Sequence, residues 1–201
     1  MSGRQLLLPA LALMAACRAA PTPAPRPVAA TPRARGGDAD LEWLRARQLM
    51  VPVAGVAPER VPDSYHAARS GDRIHRATDI LAPRGTPVLA ADDGHVFKVR
   101  RNSLGGLTVY VVDLERRFLY YYAHLARYRA GLREGMRVAQ GDVIGYVGTT
   151  GNAPKNTPHL HFQVMRMRDD RYWDGEPVDA RPFLVLTGLV RTSTDHPTTG
   201  R

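Results

Sequence analysis

His159-Leu160-His161-Phe162-Gln163-Val164 is the stretch from which the fold is read. In an extended strand, side chains at i and i+2 leave the same face. Leu160, Phe162 and Val164 then turn into a core, while His159 and His161 stand side by side on the opposite face. Alternation of this kind marks a strand with one buried face. It also makes a rigid platform that presents two imidazoles.

Working outward, Tyr120-Tyr121-Tyr122-Ala123-His124-Leu125 alternates as well. Tyr120, Tyr122 and His124 are expected on one face, with Tyr121, Ala123 and Leu125 on the other. Further upstream, His75-Arg76-Ala77-Thr78-Asp79 places a histidine and an aspartate at i and i+4, which share a face in either a helical turn or a strand. A lone His-x-His is more often a packed or surface pair, and a lone His-x-x-x-Asp is weaker still. Five metal-competent or proton-transferring groups on one set of strands are a different matter. Two histidines and one aspartate suffice to hold a catalytic Zn²⁺ while a fourth position stays open to water. The residues therefore predict a zinc hydrolase with one Zn²⁺ per chain.

From residue 86 onward the chain predicts successive strands over 86–91, 95–100, 107–114, 118–125, 142–147 and 159–166, separated by Asp92-Asp93-Gly94, Gly105-Gly106, Gly131, Gly135, Gly141, Gly148 and Gly151. Glu115-Arg116-Arg117 is not a favoured tight turn, so its hairpin is inferred only from the strands on either side. Short, evenly spaced strands without intervening helices predict an all-β domain, a small barrel or sandwich of antiparallel strands. Ahead of it, Asp38 and Asp40 followed by Leu41, Trp43, Leu44, Leu49 and Met50 suit a short helix with an acidic first turn, then an irregular lead-in over 51–72.

The 201 residues suit one domain with appendages, and 44% hydrophobic residues are enough for a core. Of the net charge of +9, five units come from the arginines of residues 1–37, which hold no acid. The mildly basic remainder has no basic stripe with interleaved aromatics, which excludes nucleic acid as the expected partner. Residues 1–16 read as a signal peptide, with Arg4 ahead of an apolar run too short to span a bilayer. The run ends Ala15-Ala16-Cys17, which resembles a bacterial lipobox, and Cys17 is the only cysteine. Lipidation of Cys17 would tether the protein to a membrane through the Pro/Ala/Arg-rich, disordered linker 17–37. Arg18 after the cysteine resembles an outer-membrane address facing the periplasm. Residues 38–190 then form the catalytic domain and 191–201 a disordered tail.

With these motifs in place, the chain resembles the lysostaphin/LytM-type zinc metallopeptidases, which cut peptide cross-links in bacterial peptidoglycan. The resemblance runs through Arg73-Ile74-His75-Arg76-Ala77-Thr78-Asp79, Tyr122-Ala123-His124-Leu125, Gly141-Asp142-Val143-Ile144-Gly145, Gly148-Thr149-Thr150-Gly151 and Pro158-His159-Leu160-His161-Phe162, in that order. It implies that His75, Asp79 and His161 bind zinc, while His124 and His159 stand beside it as catalytic groups. It implies peptidoglycan as substrate and the bacterial cell envelope as location; it names no protein partner. A non-catalytic envelope module that binds peptidoglycan or activates a cell-wall amidase is the alternative, against which the retention of all five residues counts. The family often has Gly where Ala77 stands and Glu where Gln163 stands. Arg73 and Tyr122 are candidates for contact with substrate. His66, His95 and His196 are expected in solvent.

Overall fold

The structure, a computed structural model, describes residues 37–68, 74–168 and 175–191, all within one unit of the chain. The signal segment, Cys17, the tether as far as residue 36, Arg73 and the tail 192–201 with His196 lie outside the described residues.

One helix, α1 (Gly37–Ala46), opens the described chain. The strands follow as β1 (Leu49–Met50), β2 (Thr78–Leu81), β3 (Pro87–Leu89), β4 (Gly94–Asn102), β5 (Gly106–Asp113), β6 (Phe118–Tyr128), β7 (Arg137–Val138), β8 (Val143–Val147), β9 (His159–Arg166), β10 (Glu176–Val178) and β11 (Leu184–Leu186). All six predicted strands form. The strands not foreseen, β1, β2, β7, β10 and β11, are two to four residues long, too short for alternation to show in sequence.

Nine strands make one antiparallel sheet whose spine runs β10-β9-β6-β5-β4-β7, while β1 and β11 pair in parallel as a separate ribbon. The sheet is open rather than a closed barrel: its two ends, β10 and β7, do not pair with each other. β6 bridges two neighbours, pairing through Phe118–Ala123 with β9 and through Leu125–Tyr128 with β8. β9 has β6 on one side and, in succession, β2 and β10 on the other.

The core lies on the face to which Leu160, Phe162, Val164, Tyr120 and Tyr122 turn, and α1, β1, β11 and the lead-in cover it through Leu44, Leu49, Leu184, Val51 and Val53. Asp38 and Asp40 favour the helix start, where backbone N–H groups are unpaired. Asp40 is itself buried and meets Arg117 at 3.3 Å and Arg166 at 3.5 Å, and Trp43 stacks on Phe118 with ring centres 5.8 Å apart. The β5–β6 turn closes despite its sequence because Asp113 accepts the backbone N–H groups of Glu115, Arg117 and Phe118, and Arg116 takes a left-handed φ of 56°.

One departure from regular alternation positions the site. Val109 faces Tyr122 across β5–β6, yet Leu107 faces Leu125, so two residues of β5 span three of β6. The extra residue is a β-bulge at Ala123-His124, where His124 has φ 60° and donates its N–H to Gly105 at 2.7 Å. Histidine is among the residues that tolerate this conformation. Without the bulge His124 would follow Tyr120 and Tyr122 into the core.

Candidate active site

The site is built across β2 and β9. Asp79 is the cross-strand partner of His161 and Leu81 of His159, so Asp79, His159 and His161 leave the same face of the sheet. His161 Nδ1 lies 2.9 Å from Asp79 Oδ1. His75 precedes β2 in irregular backbone and reaches in with Nε2, 3.0 Å from Asp79 Oδ1 and 3.1 Å from His161 Nδ1. His75 and Asp79 thus share the site through neither a helical turn nor a continuous strand.

His75 Nδ1 lies 2.9 Å from the Ser64 carbonyl, which can only accept, so Nδ1 carries a proton and Nε2 is the ring atom turned inward. Burial by itself would push the Asp79 carboxyl up, but hydrogen bonds from His161 and His75 outweigh it and hold the group well below the usual carboxylate range. Three donor atoms at mutual distances of 2.9–3.1 Å form a compact triangle. Donors about 2.0–2.1 Å from a tetrahedral Zn²⁺ stand about 3.3 Å apart, so this set fits the ion after a small expansion and leaves a fourth position open. Among the described residues, His75, Asp79 and His161 are the one group of three or more such side chains gathered closely enough to hold a metal ion.

His124 and His159 stand beside the triangle. Their rings are 4.9 Å apart, the His124 ring is 5.6 Å from that of His161, and His159 Nε2 is 3.9 Å from Asp79 Oδ1. Each has Nδ1 tied to a backbone carbonyl, His124 to Thr150 at 2.8 Å and His159 to Thr157 at 2.9 Å. Neutral imidazoles held this way turn a bare Nε2 to their other side. Burial pushes the His124 pKa down to about 4, with the Thr150 carbonyl opposing and the neighbouring His161 and His159 assisting. At neutral pH His124 is therefore a proton acceptor.

A cavity of about 490 Å³ opens over these groups and is walled by Ile74, Leu104, Gly105, Tyr121 and the 152–154 loop. The aromatic wall corrects an expectation. Tyr122 is fully buried on the core face, and its hydroxyl accepts the Ala91 N–H at 3.0 Å, so it does not reach the cavity. Tyr121 does, with its ring edge-on to His161 at 6.0 Å. A Cβ on Gly105 would come within 2.1 Å of the Tyr121 hydroxyl and 2.7 Å of the Thr108 methyl, so a larger residue there would displace that wall. Ala in the place of a glycine at position 77 is accommodated because Arg76, not Ala77, takes the left-handed φ of 54°. Gln163 donates to the Arg76 carbonyl at 2.9 Å. His66 and His95 are exposed, as expected. The carbonyl partners Ser64, Thr150 and Thr157 carried no signal in the sequence, since any residue type supplies a carbonyl.

The donor set lies on the open face of the sheet, in a cleft, and could hold one metal ion. Residues 73–180, more than half of the chain, match the model of Peptidase family M23, and the chain belongs to that family. It is 35% identical over 112 residues to an L-Ala--D-Glu endopeptidase of Bacillus subtilis, a match covering 53% of this chain and 34% of the relative. It is 38% identical over 104 residues to the peptidoglycan DD-endopeptidase ShyC of Vibrio cholerae, covering 52% of this chain and 23% of the relative. The matched stretch thus spans about a quarter to a third of those relatives. The fold resembles the catalytic domain of lysostaphin from Staphylococcus simulans, with a TM-score of 0.50 and 26% identity over 71% of this chain and 96% of that one.

Proposed function

We propose that the protein is a zinc-dependent endopeptidase that hydrolyses peptide cross-links of bacterial peptidoglycan. The observation that carries this is the triangle of His75 Nε2, Asp79 Oδ1 and His161 Nδ1 with two further imidazoles beside it. Its membership of a peptidase family, and its similarity to a relative named a peptidoglycan DD-endopeptidase, support the choice of substrate.

His75, Asp79 and His161 hold the metal. A bound Zn²⁺ supplies Lewis acidity to the scissile carbonyl and to the attacking water. His159, next to the ligands on β9 and with Nε2 bare, takes the water's proton and later returns it to the leaving amine. His124 faces the same space from β6. Its tautomer and low pKa favour accepting a hydrogen bond that orients the water. The walls Ile74, Leu104 and Tyr121 orient the peptide and limit access of bulk water. Purified protein incubated with isolated peptidoglycan should release new amino termini in proportion to bound zinc. Stoichiometric zinc with no released termini would replace the enzyme by a binding or activating module.

The same proposal places the chain at the envelope through acylated Cys17, as an outer-membrane lipoprotein of the periplasmic side, with residues 17–37 as tether, 38–190 as peptidase domain and 191–201 as tail. Mass spectrometry of the N-terminal peptide of membrane-extracted protein checks it. An unmodified Cys17 rejects the anchor and leaves the peptidase intact.

A further inference from the structure

We infer that Ser64, in the irregular lead-in ahead of the family match, is a positioning residue that holds His75 and Asp79 in place for the metal. His75 belongs to no helix or strand. The backbone between the two ligands passes through the left-handed Arg76, so no ladder of regular hydrogen bonds fixes their separation. Ser64 does so from outside. Its carbonyl accepts His75 Nδ1–H at 2.9 Å, its hydroxyl accepts the Asp79 N–H at 3.1 Å, and the same hydroxyl donates to the Ala77 carbonyl at 3.4 Å. One residue therefore sets the ring orientation of one ligand and the backbone of the other.

The segment around Ser64 is itself held as a strap. The Arg76 N–H donates to the Tyr65 carbonyl at 2.8 Å and the His75 N–H to the Ala67 carbonyl at 2.9 Å. The Tyr65 hydroxyl donates to the Pro177 carbonyl at 2.9 Å, which pins the strap to β10 on the far side of the ligand loop. The matched family region begins at residue 73, so the centre recruits a support from outside it. Partners that orient a metal-bound imidazole or carboxylate typically change metal affinity about 10–100-fold when removed.

The inference rests on the zinc centre proposed above. Its test is a competition titration of Zn²⁺ against a chromophoric chelator with full-length wild type, Ser64→Ala and Ser64→Thr, followed by Co²⁺ absorption spectra. Wild type should bind one Zn²⁺, Ser64→Ala should bind it about 10–100-fold more weakly with an altered Co²⁺ spectrum, and Ser64→Thr should recover most of the affinity because it restores the hydroxyl. Equal affinity and an unchanged spectrum in Ser64→Ala, even with a lower melting temperature, would reduce Ser64 to a structural residue and overturn the inference. Failure of wild type itself to bind Zn²⁺ overturns the zinc centre, and the positioning role with it. Should Ser64→Ala not fold, nitrogen NMR of zinc-loaded wild type decides: a protonated His75 Nδ1 with Nε2 on the metal supports the inference, and coordination through Nδ1 rejects it.

Discussion

Asp92 and Asp79 are two carboxylates drawn into the same protein, and their partners set them apart. Asp92 accepts a two-pronged pair from Arg47, at 2.6 and 2.9 Å, along with the Tyr120 hydroxyl at 3.0 Å and the Asp93 N–H at 2.8 Å. Every one of these partners keeps its proton at neutral pH; hydrogen bonding to Asp92 holds Arg47 more firmly protonated still. Asp79 instead meets two imidazoles, which can give up protons and offer lone pairs. The first arrangement is closed to any further cation. The second can exchange its protons for one. A carboxylate among histidines is thus a candidate site, and the carboxylate under Arg47 is a clamp between the end of α1 and the β3–β4 connection.

The largest expected effect breaks the site and spares the clamp. Asp79→Ala should abolish hydrolysis and remove stoichiometric zinc, because two protein ligands rarely retain Zn²⁺, while the protein keeps a cooperative unfolding transition. Metal content by mass spectrometry and urea unfolding on the same sample check both halves. Full zinc occupancy in Asp79→Ala would reject the ligand assignment.

Next in size are the two flanking imidazoles. His159→Ala and His124→Ala should each retain zinc and lose about 10²–10⁴-fold in kcat, the usual scale of general acid–base help. Loss of metal in both variants, or near-normal turnover in either, contradicts the roles given to them.

Asp92→Ala reverses the pattern. It leaves Arg47 without its partner, and since that guanidinium is a third exposed the cost should fall near the lower end for broken buried pairs, about 3 kcal/mol. The urea midpoint should drop while zinc stoichiometry and turnover per folded molecule stay unchanged. A fall in kcat larger than the loss of folded protein would mean that the two carboxylates are coupled.

What was legible in the sequence follows the same division. β9 could be read because its alternation runs unbroken from His159 to Val164, and it carries both the core face and half the site. β2 could not be told from a helical turn, since four residues fit either. In β6 the alternation was read straight through the bulge, so His124 was grouped with Tyr120 and Tyr122, although it reaches the site only by leaving their face. Nothing local in Tyr-Tyr-Tyr-Ala-His-Leu marks the extra residue. The cause is tertiary: the Gly105 carbonyl waits for the His124 N–H across the sheet. The sheet's openness and the Ser64 contacts were hidden for a similar reason, because backbone partners leave no trace in residue type.

The adjacent tyrosines give the smallest and most local test, because one position along a strand separates site from core. Tyr122→Phe keeps the ring that packs 5.2 Å from Phe162 and removes only the hydroxyl that satisfies the buried Ala91 N–H. Leaving that donor unpaired should cost about 1 kcal/mol, or roughly 3 °C in Tm for a domain of this size, with kcat/KM unaltered. Tyr121→Ala removes a wall of the cavity and should raise KM with little change in kcat, the pattern of lost substrate binding. If instead Tyr122→Phe altered KM while Tyr121→Ala affected only stability, the strand would be inverted with respect to the cleft, and the bulge at His124 would have to lie on the other side of these residues.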